Sequence, residues 1–127
     1  MVLKRMSLIH EALTYKIIGC AFEVHKELGP GFLESAYEAA MQVELKTAGL
    51  STVSQQMFPL LYKGSKIKDF FCDLVIDDKV IVELKAISRI TDIERAQLLN
   101  YLKVTGIKVG LIINFGQTSL KHERLVL

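Results

Sequence analysis

Residues 70–86, FFCDLVIDDKVIVELKA, constrain the fold more than any other part of the chain. Two runs rich in β-branched and aromatic residues flank Asp77-Asp78-Lys79, the pattern of two strands joined by a tight turn. Asp73 interrupts the first run, and Glu83 and Lys85 interrupt the second. Ionised side chains are seldom buried without a partner or a metal ion, so these three need a reason to be there. Alternation along a strand puts Glu83 and Lys85 on one face and Val82 and Leu84 on the other. A two-residue turn would set Asp73 opposite Val82, on the wrong face. A three-residue turn pairs Ile76 with Val80, Val75 with Ile81 and Asp73 with Glu83. It also gathers Cys72, Leu74 and Ile76 with Val82 and Leu84 on one apolar face, and it is the expected register.

Two carboxylates directly opposite each other on a sheet repel. At ~4–5 Å and an effective dielectric near 20 the repulsion is about 3–4 kcal/mol. Lys85 offsets part of it. A divalent cation held by hard oxygen ligands, Mg²⁺ or Mn²⁺ in its place, would offset much more. The ordinary reading of Glu-x-Lys in a strand is an exposed ion pair on a solvated face. Here the strand is otherwise apolar and a further acid falls in register, which brings the two readings level.

The rest of the chain frames this hairpin. Ile9, Leu13, Ile17, Ala21, Val24 and Leu28 recur at helical spacing and predict a helix over residues 7–28, ended by Gly29-Pro30-Gly31. Leu33, Ala36, Tyr37, Ala40 and Val43 predict a second helix over 33–48, stopped by Gly49. Strands are expected at 53–63, 66–76 and 80–87 as an antiparallel meander. Gly64-Ser65 reads as a two-residue turn, which places Gln56 opposite Asp73, and Pro59 marks an edge strand or bulge. Thr91 and Glu94 form a capping box for a helix running to about Thr105. KVGLIINF then reads as a buried strand, parallel to the third strand through a crossover. SLKHERLVL offers a short edge strand.

At 127 residues the chain suits a single domain, 1–127. Its net charge of +2 is too small to advertise nucleic-acid binding by itself. Two cysteines, Cys20 and Cys72, lie in apolar runs and read as reduced thiols, as in a cytoplasmic protein. No leader or membrane-spanning run is legible, so no membrane partner is expected.

The order helix, meander, helix, strand, with Asp73 on the second strand and Glu83-Leu84-Lys85 on the third, resembles the PD-(D/E)xK nuclease superfamily. More narrowly, GFLESAY, with Gly31, Glu34 and Tyr37, resembles the GxxExxY family within it. The resemblance implies an α+β or α/β restriction-endonuclease-like core, α-α-β-β-β-α-β, with a mixed four-stranded sheet. It implies Asp73, Glu83, the Leu84 backbone carbonyl and Glu34 as ligands for Mg²⁺. Lys85 would orient or deprotonate the attacking water. Gln97 and Tyr101, at i and i+4, are similar to the Gln-xxx-Tyr pair of the RecB-like branch, which supports substrate and active site. Cys72 stands where the superfamily name has Pro. The expectation is a Mg²⁺-dependent nuclease acting on DNA in preference to RNA. The alternatives are a non-catalytic module that binds nucleic acid or protein, and a subunit of a larger nuclease. So small a domain has little surface to grip a duplex, which makes a homodimer a natural arrangement.

Four other features have an ordinary reading beside the functional one. His25 is more often a helix-end or polar core residue than an accessory catalyst, and Tyr37 more often packs. Lys63, Lys66 and Lys68 protect an edge strand more often than they contact phosphate. Arg89 and Arg95, near the capped helix start, are either phosphate receptors or surface charge.

Overall fold

The two most apolar strands lie side by side at the centre of the sheet and organise everything else. The structure is a computed structural model that describes residues 8–127. Its elements are α1 (Glu11–Leu28), α2 (Glu34–Thr47), β1 (Thr52–Tyr62), β2 (Ser65–Ile76), β3 (Val80–Lys85), α3 (Asp92–Thr105), β4 (Val109–Asn114) and β5 (Lys121–Val126). The sheet order is β1-β2-β3-β4-β5. β1, β2 and β3 pair antiparallel, β3 and β4 parallel, and β4 and β5 antiparallel. The mixed α+β architecture is the expected one. The sheet has five strands rather than four, because the C-terminal segment does pair along β4.

β3 and β4 are buried on both faces because helices cover both. On one side Ile17, Ala21 and Val24 of α1 and Tyr37, Met41 and Leu45 of α2 pack against Leu74, Val82 and Leu111. On the other, Leu98 and Leu102 of α3 pack against Val75, Ile81 and Ile112. α3 approaches β4 so closely that a Cβ at Gly110 would stand 2.7 Å from Leu98 Cδ1. Thr91 caps α3 with the expected reciprocal box: its hydroxyl accepts from Ile93 N, and Glu94 Oε1 accepts from Thr91 N at 2.9 Å.

Several expectations need correction. α1 starts at Glu11, and Ile9 before it is half exposed, while Ser7 lies outside the described residues. The buried stripe of α2 is Tyr37, Met41 and Leu45; Leu33 and Val43 are exposed. The stripe follows the i, i+4 row that faces α1 and the sheet, and the apolar character of Val43 does not override that geometry. The first hairpin turns on Lys63-Gly64, with Tyr62 opposite Ser65. Both turn residues take positive φ, 48° and 83°, as a two-residue turn of this hand requires. A register shift near Leu60 and Leu61 follows, and Gln56 falls opposite Cys72, not Asp73.

Candidate functional site

The site lies where β2 leaves β3. Their ladder runs Ile76↔Val80, Val75↔Ile81 and Leu74↔Val82, the register of the expected three-residue turn. Asp77 and Asp78 both take positive φ, 53° and 56°, and Lys79 N returns to the Ile76 carbonyl at 3.0 Å. Beyond Leu74 the backbone pairing stops. The Leu84 N–H donates instead to Asp73 Oδ2 at 2.8 Å. A strand residue points its N–H and C=O to the same side, so the Leu84 carbonyl opens onto the same gap as the Asp73 carboxylate.

β1 yields at the same level. Its pairing passes from Ser54↔Leu74 to Gln56↔Cys72, and the intervening Gln55 has φ 51°. A side chain with a Cβ in that conformation is strained by roughly 1–2 kcal/mol. The faces exchange across this point. Leu74 and Ile76 pack towards α1 and α2, whereas Cys72 joins the cluster under α3, so it does not share the apolar face with Leu74 and Ile76. Gln55 uses its position: its Nε2 donates to Asp73 Oδ1 at 3.2 Å and to Glu38 Oε1 at 2.7 Å. Neither Gln55 nor Glu38 stands out in the sequence as a site residue. The spacing of Glu38, one helical turn beyond Glu34, was the available signal. Gln56, the residue expected here, keeps a buried Oε1 with no hydrogen-bond partner.

Glu83 is 4% exposed, and its Oε1 makes no hydrogen bond. Burial, then the neighbouring Asp73 carboxylate, push its carboxyl up to about 9, with Lys85 pulling the other way. The two acids therefore meet. The same surroundings push the Cys72 thiol up to about 12, through burial and then Glu83 and Asp73, so Cys72 is no nucleophile. Burial, Glu83, Cys72 and Asp73 raise the Tyr101 phenol in the same way. Lys85 Nζ donates to Gln97 Oε1 at 2.9 Å, and Tyr101, one turn on, packs edge-to-face on Phe70 at 5.5 Å. Asp73, Glu83, Lys85, Gln97 and Tyr101 are thus one neighbourhood.

Glu34, Ser35 and Glu38 of α2 close the other side of a cavity of about 210 Å³ that Gln55, Asp73 and Leu84 also line. Glu34 is exposed at the cavity wall. Among the described residues, no three His, Cys, Asp or Glu side chains already converge as metal ligands. Glu34 therefore lines the cavity without joining Asp73 and Glu83 as a ready third carboxylate. The remaining donors suit a hard divalent ion: an orphaned buried carboxylate oxygen, a second carboxylate beside it and a strand carbonyl at the same gap.

The other expected residues serve the frame. The Tyr37 hydroxyl donates to the Gly29 carbonyl at 2.5 Å and accepts from Phe32 N at 3.3 Å. Its ring stacks on Phe115 at 4.4 Å. His25 Nε2 lies 2.8 Å from the Gln117 carbonyl oxygen, tying α1 to the segment after β4. Neither reaches Asp73 or Glu83. Arg95 is taken up by Glu123 through two 2.7 Å contacts and by Asp92 at 2.8 Å, which leaves no fork for a phosphate.

Known proteins resemble this arrangement. The solved structure titled "Crystal structure of SSO0001" superposes with a TM-score of 0.61 at 12% identity, over 92% of this chain and 59% of that one. The likeness is one of fold, and the chain spans about three-fifths of that protein's length. Among curated proteins none matches the sequence significantly. A family model does match, over residues 11–125, and by that match the chain belongs to the PD-(D/E)XK nuclease superfamily.

Proposed function

We propose that the protein is a divalent-metal-dependent nuclease that hydrolyses phosphodiester bonds, with DNA as substrate in preference to RNA. The observation that carries this reading is the break in the β2–β3 ladder. There the Asp73 carboxylate takes the Leu84 N–H and sits against a buried Glu83 whose Oε1 has no partner. Asp73, Glu83 and the Leu84 carbonyl would hold Mg²⁺ or Mn²⁺, with Glu34 reaching in from α2. A bound divalent ion supplies Lewis-acid polarisation of the phosphoryl oxygens and a lowered pKa for water. Lys85, held by Gln97, places an ammonium beside the carboxylates, where it orients the attacking water and stabilises charge on the phosphate. Tyr101, one turn along α3 from Gln97, packs edge-to-face on Phe70 beside that pair.

The narrower GxxExxY assignment gains support from what each signature residue does. Gly31 has φ 111°, which a side chain with a Cβ rarely adopts. Tyr37 staples the loop that contains it, and Glu34 opens the helix that faces the cavity. The spacing of Gln97 and Tyr101 supports the RecB-like branch. Two free buried cysteines suit a reducing compartment such as the cytoplasm. No helix among the described residues is long and apolar enough to cross a membrane.

Incubation with labelled single-stranded, duplex and branched DNA in Mn²⁺ or Mg²⁺ tests the proposal. Wild type should cleave at least one of these and Lys85→Ala should not. Equal behaviour of the two proteins on every substrate would overturn it. Calorimetry with Mn²⁺ alone should show a binding site that Asp73→Asn loses.

A further inference from the structure

On the α3 side of the sheet lies a second cavity, of about 260 Å³, lined by Lys68, Phe70, Gln97, Asn100 and Tyr101 among others. Its walls differ in kind from those of the acidic cleft. Phe70 and Tyr101 are half-buried rings set at 87° to each other, so the pocket offers aromatic surface in two orientations. Lys68 Nζ lies 5.4 Å from the Phe70 ring centroid and brings a positive charge to the rim. Asn100 adds an exposed carboxamide, and Gln97 a second whose oxygen is engaged by Lys85. Aromatic faces, carboxamides and an ammonium together match a nucleobase and the phosphate attached to it: rings stack, amides pair with base edges, and the cation meets the backbone. Gln97 links this pocket to the proposed catalytic lysine, because it lines the pocket and accepts from Lys85 Nζ at 2.9 Å. A base seated here would lie beside the phosphate presented to Lys85.

We infer that this pocket is a subsite for an unpaired nucleobase next to the scissile phosphate, which makes single-stranded or frayed nucleic acid the substrate class. The inference rests on the nuclease reading for the word scissile, but the pocket's ability to bind a base does not depend on cleavage. In an intact duplex a base is stacked and paired, and it could enter only after being unstacked, at a cost of a few kcal/mol. Stacking on an aromatic contributes about 1–3 kcal/mol per base, or roughly 5- to 100-fold in affinity.

The test compares an oligothymidylate with a fully abasic deoxyribose-phosphate chain of the same length. Fluorescence anisotropy is read without divalent metal, on wild type, Asn100→Ala and Phe70→Leu. The leucine keeps volume and removes the ring. Wild type should prefer the base-bearing strand by at least about 5-fold. Both variants should lose most of that margin while keeping the salt-dependent binding common to both chains. Circular dichroism melting shows whether Phe70→Leu is folded, and Asn100→Ala, at an exposed position, carries the test if it is not. Equal binding of the two chains by wild type, or a margin unchanged in both variants, would overturn the subsite. Cleavage in Mn²⁺ is scored separately. Cleavage without a base margin sinks the subsite and spares the nuclease. A base margin without cleavage does the reverse, and neither signal sinks both.

Discussion

The sheet has two parts with opposite characters. β3 and β4 form an uninterrupted six-residue parallel ladder, and every residue in them except Lys85 is buried. β1 and β2 form a longer antiparallel ribbon whose outer half is solvated, with Met57, Leu61, Ile67 and Phe71 exposed. The boundary between the parts is the point where Gln55 turns to positive φ and Asp73 trades backbone pairing for a contact with Leu84 N. The regular half supplies rigidity, and the irregular junction supplies unmet polar groups. A site for charged chemistry needs both, because ligands must be fixed and must not already be satisfied by the fold.

The comparison breaks most sharply at Lys85. Its replacement by Ala should cut phosphodiester cleavage by about 10²–10³-fold, the range for losing one charge-stabilising donor. The melting temperature should stay within a few degrees, since the ammonium belongs to the junction and not to the ladder. If cleavage and stability fell together, Lys85 would be a structural ion.

Next in size comes the ladder itself. Leu111→Ala, in a fully buried β4 position, should cost about 2–5 kcal/mol in urea unfolding. Ile67→Thr on the exposed ribbon should cost well under about 1 kcal/mol. Similar costs would show that the ribbon is as integral as the centre.

A smaller effect, with a definite sign, belongs to Glu83. Its carboxyl is raised from 4.5 to about 9 in the folded protein. The folded state therefore holds a proton that the unfolded chain has released, and stability of the metal-free protein falls as pH rises through that window. Glu83→Gln removes the penalty. The variant should melt several degrees above wild type at pH 8.5 without metal, and the difference should shrink towards pH 4.5. Mn²⁺ should raise the wild-type melting point and leave the variant unmoved. A wild type that is more stable at pH 8.5 than at pH 5, metal-free, would refute the buried pair.

Gln55 should give the smallest change. Gln55→Gly relieves the positive-φ strain but removes the donor to Asp73 and Glu38. Thermal stability should hold or rise slightly, while Mn²⁺ affinity measured by calorimetry weakens a few-fold. Unchanged affinity would mean that Gln55 merely fills space.

Much of this was legible in the sequence, for identifiable reasons. Period-2 alternation and the choice between turn lengths placed Asp73 against Glu83, because only one register kept an apolar face intact. Thr91 and Glu94 announced the start of α3 through local chemistry that tertiary packing has no reason to override. The first hairpin was misread by one residue, since Lys63 accepts a left-handed conformation that side-chain statistics reserve for Gly or Asn. That slip, combined with the register shift at Leu60 and Leu61, put Gln56 instead of Gln55 at the level of Asp73. No pattern rule could have recovered it, because a backbone reversal inside a strand leaves no mark on residue type. The cavity wall from Glu38 depends on how α2 docks, which is a tertiary fact.

The Leu84–Asp73 hydrogen bond has a practical consequence for anyone preparing an inactive control. Truncating this aspartate to Ala strips a strand amide of its acceptor at a position 1% exposed, a defect of about 1–3 kcal/mol. Such a protein would be silent partly because it is damaged. Asparagine keeps an acceptor oxygen there, and the lysine substitution leaves that amide untouched, so those are the knockouts whose silence can be interpreted.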